Sequence, residues 1–326
     1  IIRYTYYKYL IAMKLHKRIS NFILLALCIS IGLSSPTITS AIDVSTSQIT
    51  APSDIYALQY TTITVKAQGT SGVVSGATVN VSALYGIFPS TGKSWVVGTT
   101  NESGLLSVIY KAPDTENETS TLTDTISADI TSESDTAHIE HSITVHPIDF
   151  STSSLNIDPT DVYEDHNATI TIVAQGPYGI IEGATVDLSS TSGKYVETGA
   201  ATQSTETDQN GKVSVLWQAP ILPGGVTSLE VNISVTLSFP GKIVSKSLSQ
   251  NITVYPIDFN SSTLEFSATT VNGGYSIDVT VNAIGNIGPV GNANVHLNAL
   301  DGQFSNGDTT IEGVTDASGA FTTQWK

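Results

Sequence analysis

VHPIDFSTSSLNID, residues Val145 to Asp158, returns as VYPIDFNSSTLEFS, residues Val254 to Ser267, 109 positions later. A phrase repeated at the length of a small domain marks a tandem array. Just before each copy apolar residues alternate, Ile143 with Val145 and Ile252 with Val254, so each copy starts at the end of a strand. Pro147 and Pro256 have no amide proton to give to a ladder, which stops the pairing there. Pro-Ile-Asp-Phe is therefore read as a joint between units. A short apolar joint without a Gly/Ser tract predicts units stacked end to end with little swing.

Between the joints one pattern recurs. ITVKAQGTSGVVSGATVNVSA from Ile63, ITIVAQGPYGIIEGATVDLSS from Ile170 and VTVNAIGNIGPVGNANVHLNA from Val279 align, with Val79, Val186 and Val295 spaced 107 and 109 residues apart. TNESGLLSVIYKAP, TDQNGKVSVLWQAP and TDASGAFTTQWK follow at the same period and bring Tyr110, Trp217 and Trp325 into register. The apolar residues alternate as in half-buried strands, not at helical spacing. In the second unit Ile170, Ile172, Ala174, Val186, Leu188, Val213, Val215, Trp217, Val231, Ile233, Val235, Leu237, Phe239, Ile252 and Val254 read inward. About seven short strands per unit, divided by Gly, Pro, Asn, Asp and Ser turns, predict an all-β fold of tandem antiparallel β-sandwiches. Gly69, Gly72 and Gly76, matched by Gly176, Gly179 and Gly183, are read as turn positions with positive φ. The units are placed at residues 42–147, 148–256 and 257–326. In register, Trp325 aligns with Trp217, so the third unit is expected to be C-terminally truncated by its last two strands, with a further joint beyond Lys326.

Residues 1–41 read as upstream residues plus a secretory signal. Lys14, Lys17 and Arg18 precede an apolar run from Phe22 to Leu33, and small residues surround Thr39 and Ala41. The run is too short for the roughly twenty residues of a spanning helix. Translation is expected to start at Met13 and cleavage to fall near Ala41, so membrane contact is confined to this segment or to an anchor not seen. Cys28 is the only cysteine and follows Leu27, where a lipobox wants a small residue; the mature chain then has no thiol and no disulfide.

From Ile42 onward 8 lysines and no arginine face 29 acids, a net charge of −21. Nucleic acid is excluded as a partner, because phosphate neutralisation and base readout both lean on Lys and Arg.

Gly183-Ala184-Thr185-Val186, the turn Thr207-Asp208-Gln209-Asn210-Gly211 and the strand Val213-Ser214-Val215 after it resemble the bacterial Ig-like domains of the invasin and intimin type. The resemblance spans roughly Val44 to Lys326. It implies an extracellular sandwich used as a rod or adhesive arm. Within this sequence no outer-membrane barrel precedes the repeats and no lectin-like tip follows them, so a specific invasin role is not carried over.

Candidate chemistry is sparse. Asp208-Gln209-Asn210-Gly211 imitates the start of a calcium loop, yet Asn101 and Asp316 hold the equivalent positions and no bidentate Glu follows, so a turn opened by Asp or Asn is the preferred reading. Asp158, Asp161, Glu164 and Asp165 lie just past the first joint and are the weak calcium candidates; a solvated acidic rim is the preferred reading. His138, His141 and His146 are read as surface residues, the first two pointing to opposite faces of a strand. No nucleophile elbow, zinc helix or phosphate loop occurs, so no catalytic residue and no cofactor is expected. Glycosylation sequons begin at Asn80, Asn101, Asn117, Asn167, Asn232, Asn251 and Asn260, all at outward positions or turns. Trp95, Tyr178 and Tyr195 are the only aromatics read as exposed, too scattered for a carbohydrate platform.

The expected function is that of a secreted or cell-surface spacer, stalk or cell-adhesion arm whose ligand is a protein or glycan surface. The alternatives are the stem of an extracellular glycosidase or peptidase with its catalytic domain beyond Lys326, and a carbohydrate-binding module.

Overall fold

A computed structural model describes residues 46–70, 72–115, 119–132 and 135–326. The signal segment, its cleavage point and the sequon at Asn117 lie outside these residues. Among the described residues there is no helix; all regular structure is strand.

The second unit is built from two sheets. One has the order Ser154–Asp158, Asn167–Val173, Lys212–Gln218, Lys194–Tyr195. The other has the order Asp161–Tyr163, Ser245–Tyr255, Leu229–Ser238, Thr185–Ser190, Thr202–Glu206. All pairs are antiparallel except Asp161–Tyr163, which runs parallel to Ser245–Tyr255. Alternation places Ile170, Ile172, Val186, Leu188, Val231, Ile233, Val235, Leu237, Ile252 and Val254 between the sheets, where all are buried with Trp217. The two large sheets of this unit alone hold nine strands instead of about seven. Its first strand breaks at Pro159 and its halves join different sheets, and Lys194–Tyr195 is too short to show a period in the sequence.

The first unit repeats this plan with sheets of three and five strands. Its five-stranded sheet carries the long hairpin Leu122–Ser132 and Asp135–His146. One buried charge has no counterpart: Asp124 occupies the place of Val231 and accepts hydrogen bonds from the amides of Leu84 (2.9 Å), Tyr85 (3.1 Å) and Gly86 (2.8 Å) and from the Tyr110 hydroxyl (2.5 Å). Four donors satisfy a carboxylate that would otherwise be costly to bury.

The third unit has the sheet Thr263–Phe266, Ile277–Asn282, Ala320–Trp325 and the pair Asn294–Asn298 with Thr310–Val314. Among the described residues it has no counterpart of the long hairpin. Leu264, Phe266, Ile277, Leu297, Phe304 and Trp325 instead line an open cavity of about 550 Å³, and Trp325 is half-buried where Trp217 is fully buried.

Candidate functional site at the joints

The Pro-Ile-Asp-Phe phrases lie between the units. In the first, Ile148 and Phe150 are buried and belong to the core of the second unit. In the second, Ile257 is half-buried and Phe259 is 49% exposed. The strands stop before the prolines, at His146 and Tyr255.

Each joint is keyed by a tyrosine absent from the sequence expectations. The short strand Asp54–Tyr56 ends with Tyr56, which is 2% exposed and packs into the core of the following unit. Its hydroxyl accepts a hydrogen bond from the Tyr178 amide at 3.2 Å. One period on, Asp161–Tyr163 ends with Tyr163, whose hydroxyl accepts from the Ile287 amide (3.0 Å) and donates to the Gly288 carbonyl (2.9 Å). The receiving element is the same hairpin in both units, Gln175–Gly176 with Gly179–Ile180, and Ile284–Gly285 with Gly288–Pro289. Gly176 has no positive φ, contrary to its reading as a turn residue. A methyl group there would overlap the Tyr56 hydroxyl, and one on Gly285 would overlap that of Tyr163. These glycines are required by close approach. Gly179 and Gly183 do have positive φ, at 130° and 70°.

A second contact follows three residues after each tyrosine. Gln59 spans the first joint with its carboxamide, donating to the Glu182 carbonyl (3.1 Å) and accepting from the Glu182 amide (2.9 Å). His166 occupies this place in the second joint, its Nε2 lying 2.9 Å from the Gly291 carbonyl. The first joint has two further ties. His146 stacks on Tyr178 with ring centroids 3.5 Å apart and planes 11° apart, while its Nε2 meets the Asp54 carboxylate at 2.8 Å. Lys242 of the second unit pairs with Asp114 of the first. His146 is thus buried in the joint instead of lying on the surface, because the second unit covers the strand end that carries it. Hydrogen bonds from Ser53 and then from His146 hold the Asp54 carboxyl below its ordinary range.

The four acids past the first joint do not converge. Asp158, Asp161 and Asp165 are exposed, and Asp165 accepts from the Gln218 amide group at 2.8 Å. Glu164 accepts from the Leu222 amide of its own unit (2.7 Å) and from the Ile257 amide (3.1 Å), so one oxygen is held within the second unit and the other braces the second joint. Among the described residues no three His, Cys, Asp or Glu side chains form a metal cage. Asp208 Oδ1 accepts from the amides of Asn210 (2.8 Å) and Lys212 (2.9 Å), and Asn101 and Asp316 repeat the arrangement. His138 is exposed between Asp129 and Glu140, and His141 lies apart from it, 3.5 Å from the Pro52 carbonyl.

The described sequon asparagines Asn101, Asn167, Asn251 and Asn260 are exposed, and Asn80 and Asn232 are half-buried. Asn232 and Asn251 face each other across a strand pair, with a 2.7 Å hydrogen bond between their side chains. Trp95 is exposed beneath Lys93, and Tyr178 is half-covered by His146. Tyr195 is fully buried, a correction to its reading as exposed: it pairs opposite Trp217 and turns inward, and burial pushes its hydroxyl up to about 12.

No protein-family model matches the chain, nor does any curated protein sequence. Solved structures similar to it include invasin, a bacterial integrin-binding protein, at 17% identity over 86% of this chain and 54% of that one, with a TM-score of 0.32. The Yersinia pseudotuberculosis adhesin InvE is similar at 15% identity over 73% of this chain and 68% of that one, with a TM-score of 0.30. Escherichia coli alpha-2-macroglobulin is similar at 15% identity, with a TM-score of 0.27; the 73% of this chain that aligns spans 18% of that protein. The fold itself stands on the strand order and register of this chain.

Proposed function

We propose that the chain is an extracellular spacer, a stalk or adhesion arm that holds a surface ligand site, protein- or glycan-directed, at a set distance. One observation carries this reading. Both joints are closed by the same device, a buried tyrosine of one unit seated against a glycine of the next, backed by a polar side chain three residues on. Units that needed independent motion would gain nothing from burying a tyrosine of one in the core of its neighbour. The polar, acidic outer faces suit a solvated rod.

Small-angle scattering and electron microscopy of the protein test this. Wild type should show one narrow length distribution, and Tyr56→Ala with Tyr163→Ala should broaden it while each unit stays folded by circular dichroism. A wild-type distribution as broad as the variant's would overturn the spacer reading.

A further inference from the structure

His166 faces two hydrogen-bond acceptors at once. Its Nδ1 lies 3.0 Å from the carbonyl oxygen of Glu164 in its own turn, and its Nε2 lies 2.9 Å from the carbonyl oxygen of Gly291 in the third unit. Carbonyl oxygens only accept. A neutral imidazole has one N–H and must turn a lone pair toward one of these oxygens, whereas the imidazolium donates to both. We infer that the second joint carries a proton-operated clamp, in which the charged His166 ring ties the Glu164 turn of the second unit to Gly291 of the third. The inference deepens the spacer reading and rests on the joint being closed as described.

The repeat supplies an internal control. Gln59 stands at the same place in the first joint and meets one acceptor and one donor of Glu182, a match its carboxamide satisfies at any pH. Only the second joint has a titrating group in the bridging position. Around the ring, the ionisable groups are Tyr163, Glu164 and Asp165 in its own turn, Tyr255 on the adjoining strand and Asp316 behind Gly291. The 219–222 segment, whose Ala219 amide donates to the His166 carbonyl at 2.9 Å, brings none. Glu164 is already occupied by two amides, so the ring's partners are the two carbonyls.

The sign follows from the donors. The second hydrogen bond exists only while both ring nitrogens carry protons and is absent from the neutral ring. The joint is therefore closed most firmly in acid and loosens toward alkaline pH.

The test is single-molecule energy transfer on the protein with dyes at Gln209→Cys and Thr309→Cys, both exposed, at pH 5 and pH 8, for the parent and for His166→Gln. The closed-to-open ratio of the parent should fall about tenfold from pH 5 to pH 8, the scale of one hydrogen bond from a charged donor. His166→Gln, which copies the first joint, should remove that change while keeping the joint closed. Long-range nitrogen–proton spectra should show both ring nitrogens of His166 protonated at pH 5. A parent joint closed equally at both pH values, or the same pH change in His166→Gln, would overturn the clamp and leave the spacer reading standing. A parent joint open at both pH values would overturn both.

Discussion

Trp217 and Asp208 lie nine residues apart and hold the second unit in opposite ways. The Trp217 side chain is fully buried between the sheets and donates from Nε1 to the Ser192 carbonyl at 3.2 Å. Trp217→Ala should therefore destabilise the unit by about 3–5 kcal/mol in denaturant unfolding. Asp208 is exposed, and its carboxylate is held below the ordinary range by the amides of Lys212 and then Asn210. A depressed carboxyl contributes stability above its unfolded pKa and loses it as pH falls through the lower folded value. Asp208→Asn should change stability little at neutral pH, because Asn101 makes the same turn in the first unit. It should also remove this residue's share of the acid sensitivity. A calcium-induced rise in melting temperature that vanished in Asp208→Asn would give the position a metal role instead. Both roles were legible in the sequence, since inward parity marks one residue and the repeated Asp/Asn-x-x-Gly turn the other. Asp124 was not legible: the only sign of its burial is that it falls on the parity of Val231, and its partners are amides, which leave no trace in side-chain pattern.

At the scale of elements, alternation and proline placement marked the strands and their ends at His146 and Tyr255, whereas the contacts made beyond those ends stayed hidden. Tyr56 and Tyr163 close strands three residues long, too short for a period to show. Their partners are more than 120 residues away in sequence. The available signal was indirect: each tyrosine recurs at one repeat spacing, as does the glycine it seats against. That glycine gives the element-scale prediction. In Gly176→Ala the added methyl meets the Tyr56 hydroxyl and the Asp149 backbone carbonyl, neither of which is the free end of a flexible chain. The first joint should open while the second unit keeps its fold, seen as faster independent tumbling of the first unit in NMR relaxation. Gly224→Ala, with nothing within 4 Å of the new carbon, should leave tumbling unchanged. Equal tumbling in both variants would show that the hairpin contact does not set the joint.

Across the whole molecule the three units share one register but differ in how far their cores are covered. Val186 and Ile172 are fully buried beneath a complete pair of sheets. In the third unit Val279 is 3% and Val295 8% exposed, yet Ile277 and Leu297 beside the open cavity, and also Val281 and Phe321, are only half-buried. Exposed apolar lining contributes less than buried lining, at about 25 cal/mol for each Å² left in water. Local opening should be easiest where such cover is thinnest. Hydrogen exchange on this chain should therefore show the amides of Val279 and Val295 exchanging faster than those of Ile172 and Val186. The gap should persist in His166→Gln, because it arises from cover within the unit and not from the joint. Equal protection in the two units would mean that the three-stranded sheet and its neighbouring strand pair form a sufficient core on their own. Stability would then be set unit by unit through turns such as Asp316, and not by the area each pair of sheets encloses.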